Sequence, residues 1–593
     1  MLLTLLACQD YNFTPKGDVP EGWDTESLSE CWYDASPAIT IPQVEECVIE
    51  PVIGTFTPVQ EWTQSAPGDV YTTPVVGFLT ADDVPDIAVG NYAGQVYVLS
   101  GDTGQVVWSG GNLGSEPMTP AIADVDGDGD GDVVIAGSTG VFAFDGPTGA
   151  QLWSTGELPN GASPNCGAVA LHDLEGDGTV EVVIGAMVLE GATGQLRFKG
   201  SVGAGAGHAW AAPMGVAADV MGLGRLQVIV GNAIYDTDGS ILWQNGQGDG
   251  FVAVGNFDGD PEGEIVVART GTLRLQDHNG TVLWTRPNLT GSTIGPPTIA
   301  DFNNDGRPEI GVAGNGVYMV VDEAGQTLWS RPTVDYSSGF TGSAVFDFEG
   351  DGAAEVVYAD ENDVWVFNGI NGEVKMKEDR HSSATCSEYP TIADVDNDGH
   401  AEIIYASGAF SGQYERGVTV IGDSNDSWRA GSRAWNQHAY YLTNVNDDGT
   451  IPPQVDTNWL TYNTFRSGDL SAGQRGEYAD LIVEIEDVCQ ELCDGVVVWG
   501  RIGNQGVVAV DDDVVVELKA VTPEGHVSLG TQVVAGPVSA GKMLPSFSFE
   551  ADVTGLDVRA LVLEVDEGNE SVGWVAECNE DNNQDVFSEA VCE

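Results

Sequence analysis

The chain has 593 residues, with 21 Lys and Arg against 91 Asp and Glu and a formal net charge of −70. A surface this acidic repels phosphate backbones and anionic lipid, which argues against any nucleic-acid partner. It is not a disordered acidic chain either, because 42% hydrophobic residues, 15 Trp and 78 Gly describe a turn-rich sequence with a core.

The first residues, MLLTLLACQDYN, form an apolar run that ends at Cys8 and passes at once into polar sequence. The run is too short to span a bilayer. It resembles the end of a bacterial lipoprotein signal, which makes residues 1–8 a signal remnant and Cys8 the site of lipid attachment. The pattern departs from that family in having only seven residues before Cys8, none of them Lys or Arg. Contact with a membrane is expected through this anchor only, and residues 9–49 read as a linker. The other eight Cys permit four disulfides in an exported protein. Cys31 with Cys47, and Cys489, Cys493, Cys578 and Cys592 among themselves, are the local sets. Cys166 and Cys386 are left over, and spacing does not fix the connectivity.

Between residues 50 and 427 an acidic phrase recurs eight times at intervals of about 37 to 49 residues. ADVDGDGDGDVVI from Ala123 is the fullest copy and ADVMGLGRLQVIV from Ala218 the most degenerate. A second phrase follows seven of them, a Gly turn and a short strand ending in Trp108, Trp153, Phe198, Trp243, Trp284, Trp329 or Met376. With the β-branched runs between, each unit reads as four strands, and no segment holds a helical period. Four-stranded units repeated around an axis predict an all-β propeller. Eight blades are expected, or seven if a degenerate repeat is not a full blade. PVQEW, ending in Trp62, has no repeat of its own and is read as the outer strand that completes the last blade.

The acidic phrases have the composition of calcium loops. Alternate residues of a tight loop turn their oxygens to one centre, as a hard cation requires. Asp124, Asp126, Asp128 and Asp132 fill positions 1, 3, 5 and 9, Asp130 offers its carbonyl at position 7, and Gly129 allows the sharp turn. The same places hold Asp173, Glu175, Asp177, Thr179 and Glu181; Asn256, Asp258, Asp260, Glu262 and Glu264; and Asp301, Asn303, Asp305, Arg307 and Glu309. Two more sets are Asp347, Glu349, Asp351, Ala353 and Glu355, and Asp394, Asp396, Asp398, His400 and Glu402. About six Ca²⁺ are therefore expected. Met221, Leu223 and Arg225 spoil the copy from Asp219, and Thr80, Asp82 and Asp86 fill only part of another. Position 12 of the best copy is Ile135, inside a strand, so the loop is not an EF-hand. These repeats resemble the FG-GAP or VCBS repeats of integrin α-subunit propellers and of many bacterial surface proteins. The resemblance implies Ca²⁺ at the blade edges. Six divalent ions offset a minor part of −70, and the remainder is read as a solvated acidic shell suited to a salty medium.

Residues 428–466 concentrate basic and aromatic side chains, among them Trp435, His438, Tyr440 and Tyr441. Two readings stand: a cap packed on the propeller, or a ligand platform whose rings stack on sugars. After a polar linker at 467–478, residues 479–593 alternate at period two and predict an immunoglobulin-like β-sandwich. YADLIVEIEDV, RIGNQGVVAV and ECNEDNN resemble the bacterial cell-adhesion-related module, CARDB, which implies a spacer or adhesion role.

No motif nominates a catalytic centre. GPVSAGKM from Gly536 lacks the Ser or Thr that a phosphate loop needs after Lys542, and neither GxSxG nor HExxH occurs. The expected function is a non-enzymatic, calcium-stabilised adhesion lipoprotein of the bacterial envelope, at the outer membrane or cell surface, or secreted. Its partner would be a protein or glycan on a surface or in a matrix. The alternative is an extracellular polysaccharide-active enzyme of the calcium-propeller lyase kind, and a quinone-dependent dehydrogenase propeller is a weaker third.

Overall fold

The computed structural model describes residues 36–42, 48–49, 53–156, 165–208, 211–386, 388–408, 415–470, 476–477, 479–489, 495–506, 509–510, 514–523, 525–565 and 582–588. Cys8, Cys31, Cys47, Cys493, Cys578 and Cys592 lie outside them. The chain divides into two compact units, Pro51–Gln474 and a second that joins Met1–Glu50 to Arg475–Glu593.

The larger unit holds eight four-stranded antiparallel sheets in sequence order, a β-propeller-like arrangement. The first is built from Val75–Gly77, Asp86–Gly90, Val96–Ser100 and Val106–Gly110. First strands of neighbouring sheets touch one another and are wholly buried, so they line the axis. Second strands such as Asp132–Gly137 are buried on both faces, which suits their β-branched runs. Outer strands such as Val106–Gly110 keep half their residues in solvent. The eighth sheet takes Thr391–Ala393, Glu402–Ser407 and Gly417–Asp423 from the last repeat and Pro58–Gln64 from the N-terminal side. The unpaired PVQEW segment is thus the missing outer strand.

The recurring Trp joins sheets rather than strands. Its indole Nε1 donates to a backbone carbonyl in the turn of the next sheet: Trp62 to Gly101 at 2.8 Å, Trp108 to Gly146 at 2.5 Å, Trp153 to Gly191 at 2.7 Å. Trp243, Trp284 and Trp329 repeat the bond to His278, Glu323 and Gly369. Trp62, on the eighth sheet, reaches the first, so the same bond closes the ring. The Gly of each turn lies flat against that ring. Gly149 has φ +67°, and a Cβ there would stand 2.5 Å from the Trp108 ring. Glycine is required twice over, by the left-handed backbone and by the close approach.

In the smaller unit, Ile39–Thr40, Lys542–Met543, Gly495–Asn504 and Leu481–Cys489 form one sheet, with Phe547–Asp552 also paired to Gly495–Asn504. The facing sheet runs Gly525–Val534, Val514–Thr522, Ala560–Val565 and Gln584–Phe587. Val498, Leu518, Phe549 and Leu563 share the core between them. Ile39 and Thr40, in the segment read as linker, supply an edge strand here.

Gly149→Ala is expected to lower the stability of the ring by about 1–3 kcal/mol in denaturant titration, through positive-φ strain and the clash with Trp108. Gly110→Ala, with nothing within 4 Å of its added methyl group, is the control and is expected to stay within about 0.5 kcal/mol.

Candidate metal centres

Each acidic phrase leaves the end of a first strand and returns into the second. One hydrogen bond is common to seven of the eight loops: the side-chain oxygen at position 9 accepts the backbone N–H of position 2. The distances are 3.0 Å for Asp132 with Val125, 2.9 Å for Glu181 with Leu174, 2.7 Å for Glu264 with Phe257 and 2.9 Å for Glu309 with Phe302. Glu355 with Phe348 and Glu402 with Val395 follow at 3.2 and 2.9 Å. Of the degenerate copies, one keeps it through Asp86 with Leu79, and in the other Gln227 accepts instead from Met221 N–H, one position later. Position 9 therefore holds the loop whether or not the remaining acids are present. At position 1, Asp124 accepts Gly127 and Gly129 N–H at 2.7 and 3.0 Å, Asp173 and Asp347 make matching pairs, and Asp301 and Asp394 accept from positions 5 and 6.

Position 9 is a carboxyl in the wrong place for a bare charge. Glu264 and Glu355 are fully buried, and Asp132, Glu181, Glu309 and Glu402 nearly so. Burial raises all six; Glu264 reaches about 7, Glu309 about 8 and Glu402 about 10, with the neighbouring acids adding to the effect. A cation at the loop centre would relieve both penalties. Ligand atoms of Asp124, Asp126 and Asp132 lie within 4.8 Å of one another, as do those of Asp258, Asp260 and Glu264 and of Asp301, Asp305 and Glu309. Oxygen-only donors on alternate residues fit a hard divalent ion.

Two of the six loops already hold a cation supplied by the chain. Every outer strand has a β-bulge just before the Trp position, and the skipped residues are Val107, Leu152, Arg197, Leu242, Leu283, Leu328, Lys375 and Glu61. A bulge re-aims its side chain. Arg197 pairs bidentately with Glu175 and reaches Glu181 at 3.2 Å. Lys375 pairs with Glu349 and with Glu355 at 2.8 Å, and Arg429 stands 3.6 Å from Asp347. The loops at 173–181 and 347–355 are thus neutralised from within. In the eighth sheet the bulge carries an acid instead: burial and then Asp396 and Asp398 push Glu61 up to about 7. The sequence signal was present. The two basic bulges precede the two phrases that lack Trp, and they face the only two loops with Glu at position 3.

The segment from Trp428 to Leu470 fills the axis and touches all eight sheets. Trp435 exchanges backbone hydrogen bonds with Val76, Ile122 N–H donates to Asn436 O, and Leu171 N–H donates to Gln437 Oε1. Tyr441 OH donates to Ala217 O, Asn256 N–H to Asn463 Oδ1, and Phe465 pairs with Ile299. Ser467 OH donates to Val345 O, and Asp394 N–H to Ser432 O. Arg466 is 1% exposed and donates to His438 O and Pro297 O at 3.1 and 2.5 Å. Burial, then the Arg466 charge, keeps His438 neutral. Trp435, His438, Tyr440 and Tyr441 are at most 3% exposed. The platform reading is corrected: these side chains are buried against the inner strands. The cap also extends past 466 into the stretch expected to be linker.

The opposite end of the axis is spanned by a disulfide between Cys166 and Cys386, which precede the first strands of the third and eighth sheets. Beside it is a cleft of about 500 Å³ lined by Tyr71, Tyr92, Glu116, Asn165, Ser337 and Ala384 among others. The Tyr71 and Tyr92 rings lie 5.0 Å apart, and Tyr92 is 47% exposed. Two buried acids support this end. Asp335 accepts from Thr385 OH, Gly339 N–H and Tyr358 OH at 2.6, 2.8 and 3.0 Å, and Ser383 OH donates to Glu388. Burial raises each to about 7.

A family model described as FG-GAP-like repeat matches residues 124–184 and 347–405. No curated protein matches the sequence. Among solved structures, the Vibrio cholerae biofilm matrix protein Bap1 is similar at 21% identity and a TM-score of 0.60, over 70% of this chain and 99% of that one. Quinohemoprotein alcohol dehydrogenases are more distant: that of Pseudomonas putida at 13% identity and TM-score 0.45, over 64% and 78% of the two chains, and that of Comamonas testosteroni at 12% and 0.43, over 68% and 84%.

Because Asp335 and Glu388 hold protons more tightly folded than unfolded, their contribution to stability is complete below about pH 4 and lost as pH rises through 7. Asp335→Asn is expected to flatten the fall in melting temperature between pH 5 and 8. A profile parallel to that of the unaltered protein would remove Asp335 from the account.

Proposed function

We propose that this chain is a non-enzymatic adhesion protein of the bacterial envelope, held at the surface through Cys8, with a ring stiffened by Ca²⁺. The observation that carries the reading is the set of buried, mutually repelling carboxylates at the edge of successive sheets, in a ring with the fold of a biofilm matrix protein. Such loops gain rigidity from a divalent ion and offer no acid and base pair to a substrate. The ion pairs of Arg197 and Lys375 narrow the expected six sites to four, at 124–132, 256–264, 301–309 and 394–402. Residues 479–593 then serve as the CARDB-like spacer. Recognition falls to the disulfide-spanned end, where the Tyr71 and Tyr92 faces can stack on a neutral sugar; a charge of −70 and Glu116 at the rim disfavour acidic glycans.

Calcium titration of the chelator-treated protein is expected to show about four ions and a raised melting temperature. Arg197→Leu, which frees Glu175 and Glu181, is expected to add one ion. No uptake would sink the calcium reading, and an unchanged count in the variant would sink the role given to Arg197.

Tyr92→Ala and Tyr71→Ala are expected to weaken retention on neutral polysaccharide at least tenfold with the melting temperature unchanged. Retention equal to that of the unaltered protein would place recognition elsewhere.

A further inference from the structure

The fifth sheet departs from the others at its loop and at its turn together. Position 1 of its loop is Asn256, whose amide is turned back on the loop, donating to Asp260 O and accepting Gly259 N–H at 2.5 and 2.7 Å. Glu264 is 0% exposed; its Oε2 takes the common backbone bond, and its Oε1 is buried with no hydrogen-bond partner. The turn between the third and outer strands brings Asp277 and His278 to the same place. In the sixth sheet this contact between position 7 and the turn is an ordinary ion pair, Arg307 with Glu323 at 3.0 Å, and in the fourth it is Arg225 with Asp236 at 2.7 Å. In the fifth, position 7 is Glu262, so no arginine is there to meet the acids. Ligand atoms of Glu264, Asp277 and His278 instead lie within 4.8 Å of one another, as do those of Asp260, Glu262 and His278. The backbone of the turn is fixed where His278 O accepts the Trp243 indole N–H at 2.6 Å, and the imidazole Nδ1 lies 2.7 Å from Asp277 Oδ1.

We infer that Glu264, Asp277 and His278 form a site for one divalent transition-metal ion of the Zn²⁺ class, with Asp260 and Glu262 at its rim. An imidazole among carboxylates favours Zn²⁺, Co²⁺ or Ni²⁺, whereas the oxygen-only loops elsewhere in the ring suit Ca²⁺. The unpartnered Glu264 Oε1 is the acceptor such an ion would satisfy. The inference uses the same loop as the calcium reading and differs from it in the ion selected.

The test uses the full chain, stripped with chelator and returned to millimolar Ca²⁺, with Co²⁺ as the probe. One equivalent is expected to give a visible d–d band that Zn²⁺ abolishes, and His278→Gln and Glu264→Gln are expected to weaken it at least tenfold. No band, or a band unchanged in His278→Gln, overturns the site. Mapping diethylpyrocarbonate modification on the unaltered protein gives a readout that needs no variant to fold: Zn²⁺ is expected to protect His278, and equal modification with and without Zn²⁺ overturns the site as well. Bound Ca²⁺ is counted in the same samples, so a band kept without Ca²⁺ uptake counts against the calcium reading alone.

Discussion

Eight sheets set around an axis leave a hole, and a hole lined by backbone is costly until every donor and acceptor in it is met. This chain fills the hole with its own segment. Residues 428–470 reach each inner strand in turn, and Arg466 at the centre is held by carbonyls rather than by an acid. A carboxylate partner would have set a second charge in a dry place; carbonyl dipoles spread the compensation over two elements. The plug explains why the most aromatic stretch of the sequence is also among its most buried. At the other end of the axis, Cys166 and Cys386 tie loops from sheets three apart.

The second constraint is charge. Loops that gather three to five acids at a strand end hold together only if something answers the repulsion. The ring supplies one answer from its own side chains. In the third and seventh sheets a bulged Arg197 or Lys375 lies across the acids. In the others the bulged residue is Val or Leu, or, in the eighth, another acid. One position in each outer strand thus decides whether the loop beside it is self-sufficient.

Much of this architecture was legible because it repeats. The acidic phrases and the Trp turns gave the strand count, and the lone Trp62 gave the closure, since each depends on residues a few places apart. What was not legible depends on contacts without a period. Arg197 stood in plain view as the residue before Phe198, but only the bulge turns it toward Glu175. Trp435, His438, Tyr440 and Tyr441 look like a surface when read as composition, because nothing local shows that eight inner strands surround them. Ile39 and Thr40 pair with Lys542 and Met543 some five hundred residues on, a distance no local pattern spans.

The closure of the eighth sheet by Pro58–Gln64 sets an order of events during synthesis. The first strand of the ring to leave the ribosome pairs with Gly417–Asp423, which is among the last, so the ring stays open until more than three hundred further residues have emerged. Through that interval an open sheet edge faces solvent, and long-range pairing of this kind is slow. The dense negative charge acquires a use there that has nothing to do with ligands: it keeps half-made rings from joining edge to edge before each can close on itself.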